Sequence, residues 1–220
     1  MLSSINGNIA FHANESSAER LQNSFTCPDD FERMQKLVSQ CDVVFIGSRS
    51  IECELGAFRV AHLKSSQQEP EWIIFTRTGN ISFKSPFWKQ KNLPKSLFFV
   101  SSFNVQEKPI FSIEEKEFND IQGLNGVRIK CYSGNITGLI QYLKEKNYKK
   151  AALLGGGKLN SAFWENNLVN ELYLTLSPFL VGGEHLPVLL DTKIPLQKKL
   201  ILKKCKHKNG FVFLDYFINS

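Results

Sequence analysis

Three glycines, Gly155, Gly156 and Gly157, stand between the apolar run AALL (151–154) and the helix-forming stretch KLNSAFWENN, with Lys158 directly behind them. Glycine gives up more backbone entropy on ordering than any other residue. Three in a row therefore mark a chain that turns through positive φ or that another group must approach closely. A phosphate resting on the free N–H groups of a helix start would use both properties, and Lys158 would add charge. The run is not G-x-G-x-x-G, and no Ser or Thr follows the lysine as in a P-loop. A tight strand-to-helix turn without a ligand accounts for the same residues equally well.

The other reactive side chains are dispersed. Cys27, Cys41, Cys53, Cys131 and Cys205 form no C-x-x-C pair, which reads as reduced thiols in a cytoplasmic protein. His12, His62, His185 and His207 share no ligand spacing with one another or with a cysteine, so no metal is expected.

The elements that must carry the glycine turn are legible as periodicity. Residues 29–40 place Phe31, Met34, Leu37 and Val38 at helical spacing, with Pro28 suited to the first helical position. Short apolar runs at 43–47, 72–76, 97–101, 127–132 and 151–154 read as buried strands. Residues 50–64, despite Gly56, and 158–166 read as helices. Thr137 is taken as the cap of a helix carrying Leu139, Ile140 and Leu143. Residues 171–177 alternate as a strand with Leu172, Leu174 and Leu176 on one face. Asn209-Gly210 between two β-rich runs predicts a hairpin. Residues 84–95, with two prolines and four lysines, read as a surface loop. Buried strands alternating with helices predict one α/β domain over 1–220, with a mostly parallel sheet, flanking helices and a C-terminal antiparallel hairpin.

The 220 residues suit that single domain. No apolar run is long enough for a membrane span, and the N-terminus has no secretory pattern. The net charge of +6 gathers in Lys198, Lys199, Lys203, Lys204, Lys206 and Lys208 around the hairpin. A lysine-guarded sheet edge is favoured there over a nucleic-acid partner.

The block from Gly155 to Leu189 resembles the reductase domain of riboflavin biosynthesis, which has the dihydrofolate reductase-like fold. The matching features are Gly155-Gly156-Gly157, Leu159-Asn160, Asn170-Glu171-Leu172, Pro178 and Gly182-Gly183, all at the family's spacing. SSINGNIA (3–10) looks like the family's opening "SLDGKIA", and CDVVFIGSRSIECE (41–54) like its second strand and turn. The resemblance implies a nicotinamide-dependent reductase and a homodimer. By position it implies cofactor contacts at Gly155, Gly156, Gly157, Lys158 and Leu159, at Ser48 and Ser50, and at Thr76 and Arg77. Arg77 between two hydroxyls suits a 2′-phosphate, which favours NADPH. The resemblance also implies Glu54 near the nicotinamide and Asn6, Ser16 and Leu154 at the substrate. Glu54 and Asn6 are the candidates for assisting a proton.

The departures fall on the substrate side. The family's Asp in "SLDG" is Asn6, and the Glu before its glycine loop is Leu154. Its D-N-P-x-L segment is ELGAFRVAH, so the arginine that meets substrate phosphate aligns near Ala61, between Arg59 and His62. No H-x-E or P-C-x-x-C of a fused zinc deaminase is present. Relatives have a strand before "SLDG", whereas Met1 and Leu2 alone precede Ser3, so that strand is expected to be truncated or the start assigned late. The expected activity is hydride transfer to a pyrimidine, pteridine or related ribosylamino heterocycle. A carbonyl or imine reductase of specialised metabolism, and a non-catalytic paralogue that binds nucleotide or acts as a subunit, remain the alternatives.

Overall fold

The computed structural model describes residues 1–54, 60, 68–90, 93–118, 127–193 and 195–218. Its elements run β1 (Leu2–Ser4), α1 (Ser17–Gln22), α2 (Pro28–Val38), β2 (Val43–Gly47), α3 (Ser48–Cys53), β3 (Glu71–Thr76), α4 (Pro86–Lys89), β4 (Lys95–Ser102) and β5 (Phe111–Phe118). Then follow β6 (Val127–Asn135), α5 (Ile136–Glu145), β7 (Ala151–Gly155), α6 (Gly157–Glu165), β8 (Glu171–Ser177), β9 (Leu200–Lys208) and β10 (Phe211–Ile218). They fall into two units, Met1–Met34 with Gly155–Ser220, and Gln35–Leu154.

In the unit Gln35–Leu154 the unbroken apolar runs become neighbouring strands in the order β5-β6-β4-β3-β2-β7. β2 with β3, β3 with β4 and β4 with β6 pair in parallel, and β5 returns antiparallel along β6. Asp42 sets where β2 and β7 begin. Its N–H donates to the Lys150 carbonyl (2.9 Å), and its carboxylate accepts the N–H groups of Lys149 (2.7 Å) and Lys150 (2.9 Å). The core is mainly apolar, with Val44, Ile51, Ile73, Ile74, Phe98, Ile129, Ile136 and Leu139 fully buried, and it admits Ser96 and Asn135 as buried polar groups.

Three expectations are corrected in this unit. Residues 84–95 are not merely a surface loop. They contain α4, whose Phe87 and Trp88 are fully buried under a lysine-rich exterior. The cap of α5 is Asn135, not Thr137. The buried Asn135 side chain accepts the Gly138 N–H (2.9 Å) and the Ile110 N–H (3.1 Å), which starts the helix two residues earlier. The helix expected over 50–64 occupies Ser48–Cys53 and ends in an extended Glu54, while residues 55–59 and 61–64 lie outside the described residues.

In the unit Met1–Met34 with Gly155–Ser220 the strand order is β1-β8-β10-β9. The first strand is three residues long: Leu2, Ser3 and Ser4 pair in parallel with Thr175, Leu176 and Ser177. β10 runs antiparallel to both β8 and β9, and Asn209 and Gly210 make the hairpin turn at φ +51° and +82°. The expected alternation of β8 is only partly kept. Leu172 is buried, but so are Thr175 and Ser177, while Leu174 and Leu176 are half-buried. The buried Thr175 hydroxyl is met by Arg33 of α2. Its guanidinium donates to Leu174 O (3.2 Å), Thr175 Oγ1 (3.0 Å) and Leu214 O (2.8 Å), and pairs with Asp215. It also sits over the rings of Tyr173 (5.7 Å) and Phe213 (5.6 Å).

Replacing Arg33 with Ala strands a carboxylate, a buried hydroxyl and two carbonyls at once. Breaking such a network by one partner costs about 3 kcal/mol. Urea unfolding of R33A should show a loss of that order, with R33K recovering little because a point charge cannot reproduce the fork.

A second prediction concerns alkaline pH. The Glu71 carboxylate accepts from the hydroxyls of Tyr132 (2.7 Å), Tyr148 (3.0 Å) and Ser96. Burial first, and the Glu71 charge next, hold both phenols well above the ordinary tyrosine range. Lys95 works in the opposite direction. Its amine donates to the carbonyls of Phe87 (3.0 Å), Trp88 (3.0 Å) and Gln90, and burial pushes its pKa down to about 8. Between pH 8 and about 10.5 the unfolded lysine binds more proton than the folded one, so stability rises with pH there. Above about pH 10 the unfolded phenols ionise while the folded ones do not, so stability falls. Denaturant midpoints across pH 7 to 12 should pass through a maximum near pH 10. K95M should remove the rising limb, and Y132F should soften the fall.

Candidate functional site

At the strand ends of the unit Gln35–Leu154, the parallel register sets Gly47 beside Phe75 and Thr76 beside Phe99. The turns after β2 and β3 therefore emerge next to each other. Ser48 and Ser50 lie half-buried in the first turn of α3, whose N-cap, Gly47, offers no side chain. Thr76 is buried and its Oγ1 accepts the Gly79 N–H (3.0 Å). Gly79 sits at φ +71°, where a Cβ would lie 2.9 Å from the Phe99 ring. This fold of the turn leaves Arg77 and Thr78 exposed at its tip, and Thr78 Oγ1 accepts the Asn80 N–H (3.3 Å). Glu54 is half-buried at the end of α3, and its carbonyl accepts the Ser85 hydroxyl (3.2 Å). Leu154 is half-buried in β7. Arg59, Ala61 and His62 lie outside the described residues.

The glycine turn leads from β7 into α6. Gly155 and Gly156 stand at φ +98° and +89°, a region that L side chains rarely adopt. Gly156 is the N-cap of α6 and supplies no side-chain hydrogen bond. The first-turn amides therefore lack the usual side-chain acceptor. Lys158 is exposed in that turn, and Leu159 is buried beneath it. Gly157 has a different reason to be glycine. A Cβ there would stand 2.5 Å from Val188 O and 3.2 Å from Asp191 Cβ, so residues 187–191 lie directly against it.

Asn6 and Ser16 both turn inward to their own backbone. The Asn6 Oδ1 accepts the Ser4 hydroxyl (2.9 Å) and the Val181 N–H (3.1 Å), and its Nδ2 donates to Val181 O (2.8 Å). The side-chain amide thus grips both polar groups of one residue, as a neighbouring strand would. Ser16 is the N-cap of α1 in a capping box: Glu19 N–H donates to Ser16 Oγ (3.2 Å), and Ser16 N–H donates to the Glu19 carboxylate (2.7 Å). The Ser16 N–H first, and the Ser16 hydroxyl that donates to the same carboxylate (2.9 Å) next, hold the Glu19 carboxyl below its usual range. The capping-box pattern S-x-x-E stands in the sequence at Ser16 to Glu19, and the expectation of Ser16 as a substrate residue overlooks it.

Sequence reasoning also missed Asn8, Arg33 and the part played by Asn160. Asn8 Nδ2 donates to the same Val181 carbonyl (2.6 Å). Asn160 is fully buried, and its Nδ2 donates to Leu189 O (3.0 Å). The "LN" pair at 159–160 was the available signal.

A mostly parallel sheet with helices beginning at its strand ends defines an open α/β protein, the class in which ligands bind past the carboxyl ends of strands. The chain belongs to the RibD C-terminal domain family, whose profile matches residues 1–212. It is 22% identical over 210 residues to the 2,5-diamino-6-ribosylamino-4(3H)-pyrimidinone 5′-phosphate reductase of Archaeoglobus fulgidus, covering 92% of this chain and 91% of that protein. It is 22% identical over 164 residues to the riboflavin biosynthesis protein RibD of Chlamydia muridarum, covering 73% of this chain and 42% of the relative, so it spans about two fifths of that protein's length. In fold it is similar to Acinetobacter baumannii RibD, with a TM-score of 0.70 at 15% identity over 100% of this chain and 57% of that one. No helix among the described residues is long and apolar enough to cross a membrane.

The Asn6 clamp yields a prediction. Aspartate keeps the acceptor for Val181 N–H but cannot donate to Val181 O. N6D should lower stability by about 1–2 kcal/mol in thermal or urea melts at pH 7. The loss should shrink below pH 4, where the carboxyl gains a hydrogen to donate.

Proposed function

We propose that residues 1–220 act as one dihydrofolate reductase-like domain, an NADPH-dependent reductase for a pyrimidine, pteridine or related ribosylamino heterocycle. The observation that carries this reading is the start of α6 in a chain of the RibD C-terminal domain family. Positive-φ glycines, first-turn amides without a side-chain acceptor and an exposed Lys158 make a donor set suited to a diphosphate. The archaeal relative is named for a ribosylaminopyrimidinone phosphate, and that name supplies the substrate class.

When bound, NADPH supplies the hydride. In this reading Gly155, Gly156, Gly157, Lys158 and Leu159 hold its pyrophosphate, and Ser48 and Ser50 are further cofactor contacts. Arg77 pairs with the 2′-phosphate. Thr76 and Thr78 use their oxygens as acceptors within the turn, and each hydroxyl keeps its hydrogen to donate. Glu54 stands by the nicotinamide as the proton-handling carboxyl. Asn6 retains one amide hydrogen for substrate while the rest of the group fixes the turn. Ser16 and Leu154 line the substrate side, and Leu154 presents no polar atom there. The protein works in the cytoplasm as a homodimer, without nucleic acid.

The same Leu154 and the inward-bonded Asn6 favour the second reading, a paralogue that binds nucleotide without turnover, or a reductase acting on a carbonyl or imine instead. Tryptophan fluorescence should report NADPH binding, with NADH much weaker. R77A should weaken NADPH by roughly 10–100-fold and leave NADH unchanged, the measure of a lost charge-assisted pair. Loss of absorbance at 340 nm with the ribosylaminopyrimidinone phosphate separates the reductase from the non-catalytic paralogue. Absence of binding by either nucleotide overturns both.

A further inference from the structure

Residues 187–191 touch two places that the proposed function assigns to different ligands. On one side they meet the start of α6. Asp191 N–H donates to Gly157 O (3.3 Å), Leu189 O accepts from Asn160 Nδ2 (3.0 Å), and Val188 O lies against the bare Cα of Gly157. On the other side they meet the turn that carries Asn6. Leu189 N–H donates to Gly7 O (3.1 Å), Ile9 N–H donates to Pro187 O (2.9 Å), and Asn8 bridges Val188 in antiparallel fashion. The peptide groups flanking Leu189 are thus gripped from both directions. Asn8 continues the path: its N–H donates to Ser4 Oγ (2.9 Å), and its Nδ2 shares the Val181 carbonyl with Asn6.

Asn160 is the side chain on which the α6 end of this strap depends. It is fully buried, its backbone N–H closes on Gly156 O (3.0 Å), and its Oδ1 has no hydrogen-bond partner. The amide is therefore oriented by its bond to Leu189 O. Its two heteroatoms also stand 3.1 and 3.2 Å from where a Cβ of Gly155 would be, so the same group fills the space behind the first glycine.

We propose that Asn160 is a positioning residue that couples the glycine turn to the Asn6 turn through the strap 187–191. The ligand of one turn then stiffens the other, and the dinucleotide prepares the substrate side. The direction of that coupling rests on the reading of the glycine turn as the NADPH site, whereas the mechanical link rests on the strap alone.

Amide hydrogen exchange separates the two. In the ligand-free protein, N160D keeps the size of the side chain but cannot donate to Leu189 O. Exchange should quicken about tenfold or more at Leu189 and also at Ile9, which Asn160 does not touch. G157A, which pushes Val188 O away, should do the same and serves if N160D does not fold. With NADPH present, the native protein should slow exchange at Ile9 and Asn8, and N160D should lose that slowing while its NADPH Kd rises about tenfold. Unchanged exchange at Ile9 in folded N160D and G157A overturns the coupling, whatever NADPH does. NADPH binding that leaves Asn8 and Ile9 unaffected in the native protein also overturns it. Failure of the native protein to bind NADPH sinks the site reading instead, and the ligand-free comparison still decides the link.

Discussion

The guanidinium of Arg33 holds together a sheet that hydrophobic burial specifies poorly. β1 and β8 meet along a strip in which Ser3, Ser4, Thr175 and Ser177 are all buried. Hydroxyls contribute little transfer free energy and cost some when unpaired, as the Ser177 Oγ is. Such a strip cannot set its own register by apolar pattern. Directional bonds do it instead: Arg33 fixes α2 to β8 and β10 at four points, and Asn6 and Asn8 fasten the turn after β1 to Val181. These contacts join the beginning of the sequence to its last third, so their loop-closure cost is large and their geometry must repay it.

The unit Gln35–Leu154 is the contrary case, and this explains which parts were legible. VVFIG and WIIFT are buried on both faces, so each reads as an unbroken apolar run, and the strands are found where those runs stand. β5 escaped notice because Ser112, Glu114, Glu115 and Lys116 leave it mostly polar along an exposed edge. α4 was hidden by composition: two tryptophan- and phenylalanine-sized anchors sit among prolines and lysines whose signal is that of a loop. β1 was hidden by its length, since a three-residue strand of Leu and two serines has no period to detect. Lys95 belongs with these. A lysine predicts solvent, yet here the amine replaces water at the carbonyls that end α4.

For the candidate site, residue type was legible and residue duty was not. The glycine triplet was found, but its three members answer to different constraints: backbone sign at Gly155 and Gly156, and the close approach of residues 187–191 at Gly157. Internal packing thus explains part of a pattern that sequence alone leaves open between a ligand site and a tight turn. What internal packing leaves unexplained is the start of α6, where the N-cap Gly156 makes no side-chain cap bond. In α1, α4 and α5, by contrast, the side chains of Ser16, Ser85 and Asn135 cap the helix.

Asn6 carries the same lesson in the opposite sense. Against the family resemblance it is a lost carboxylate, which reads as damage to a substrate site. In the fold it is a donor as well as an acceptor, because an amide, unlike an ionised carboxylate, can both accept from Val181 N–H and donate to Val181 O. A carboxylate in that place would have to leave Val181 O to Asn8 alone and would be free to serve a ligand. Asn6 therefore has a structural duty at this position. The stiffness it brings falls on the turn that the strap 187–191 connects to the glycines. A turn made rigid by its own side chain needs less of a bound ligand's contribution to be ordered. The amide of Asn6 thus orders its turn through bonds within the protein itself.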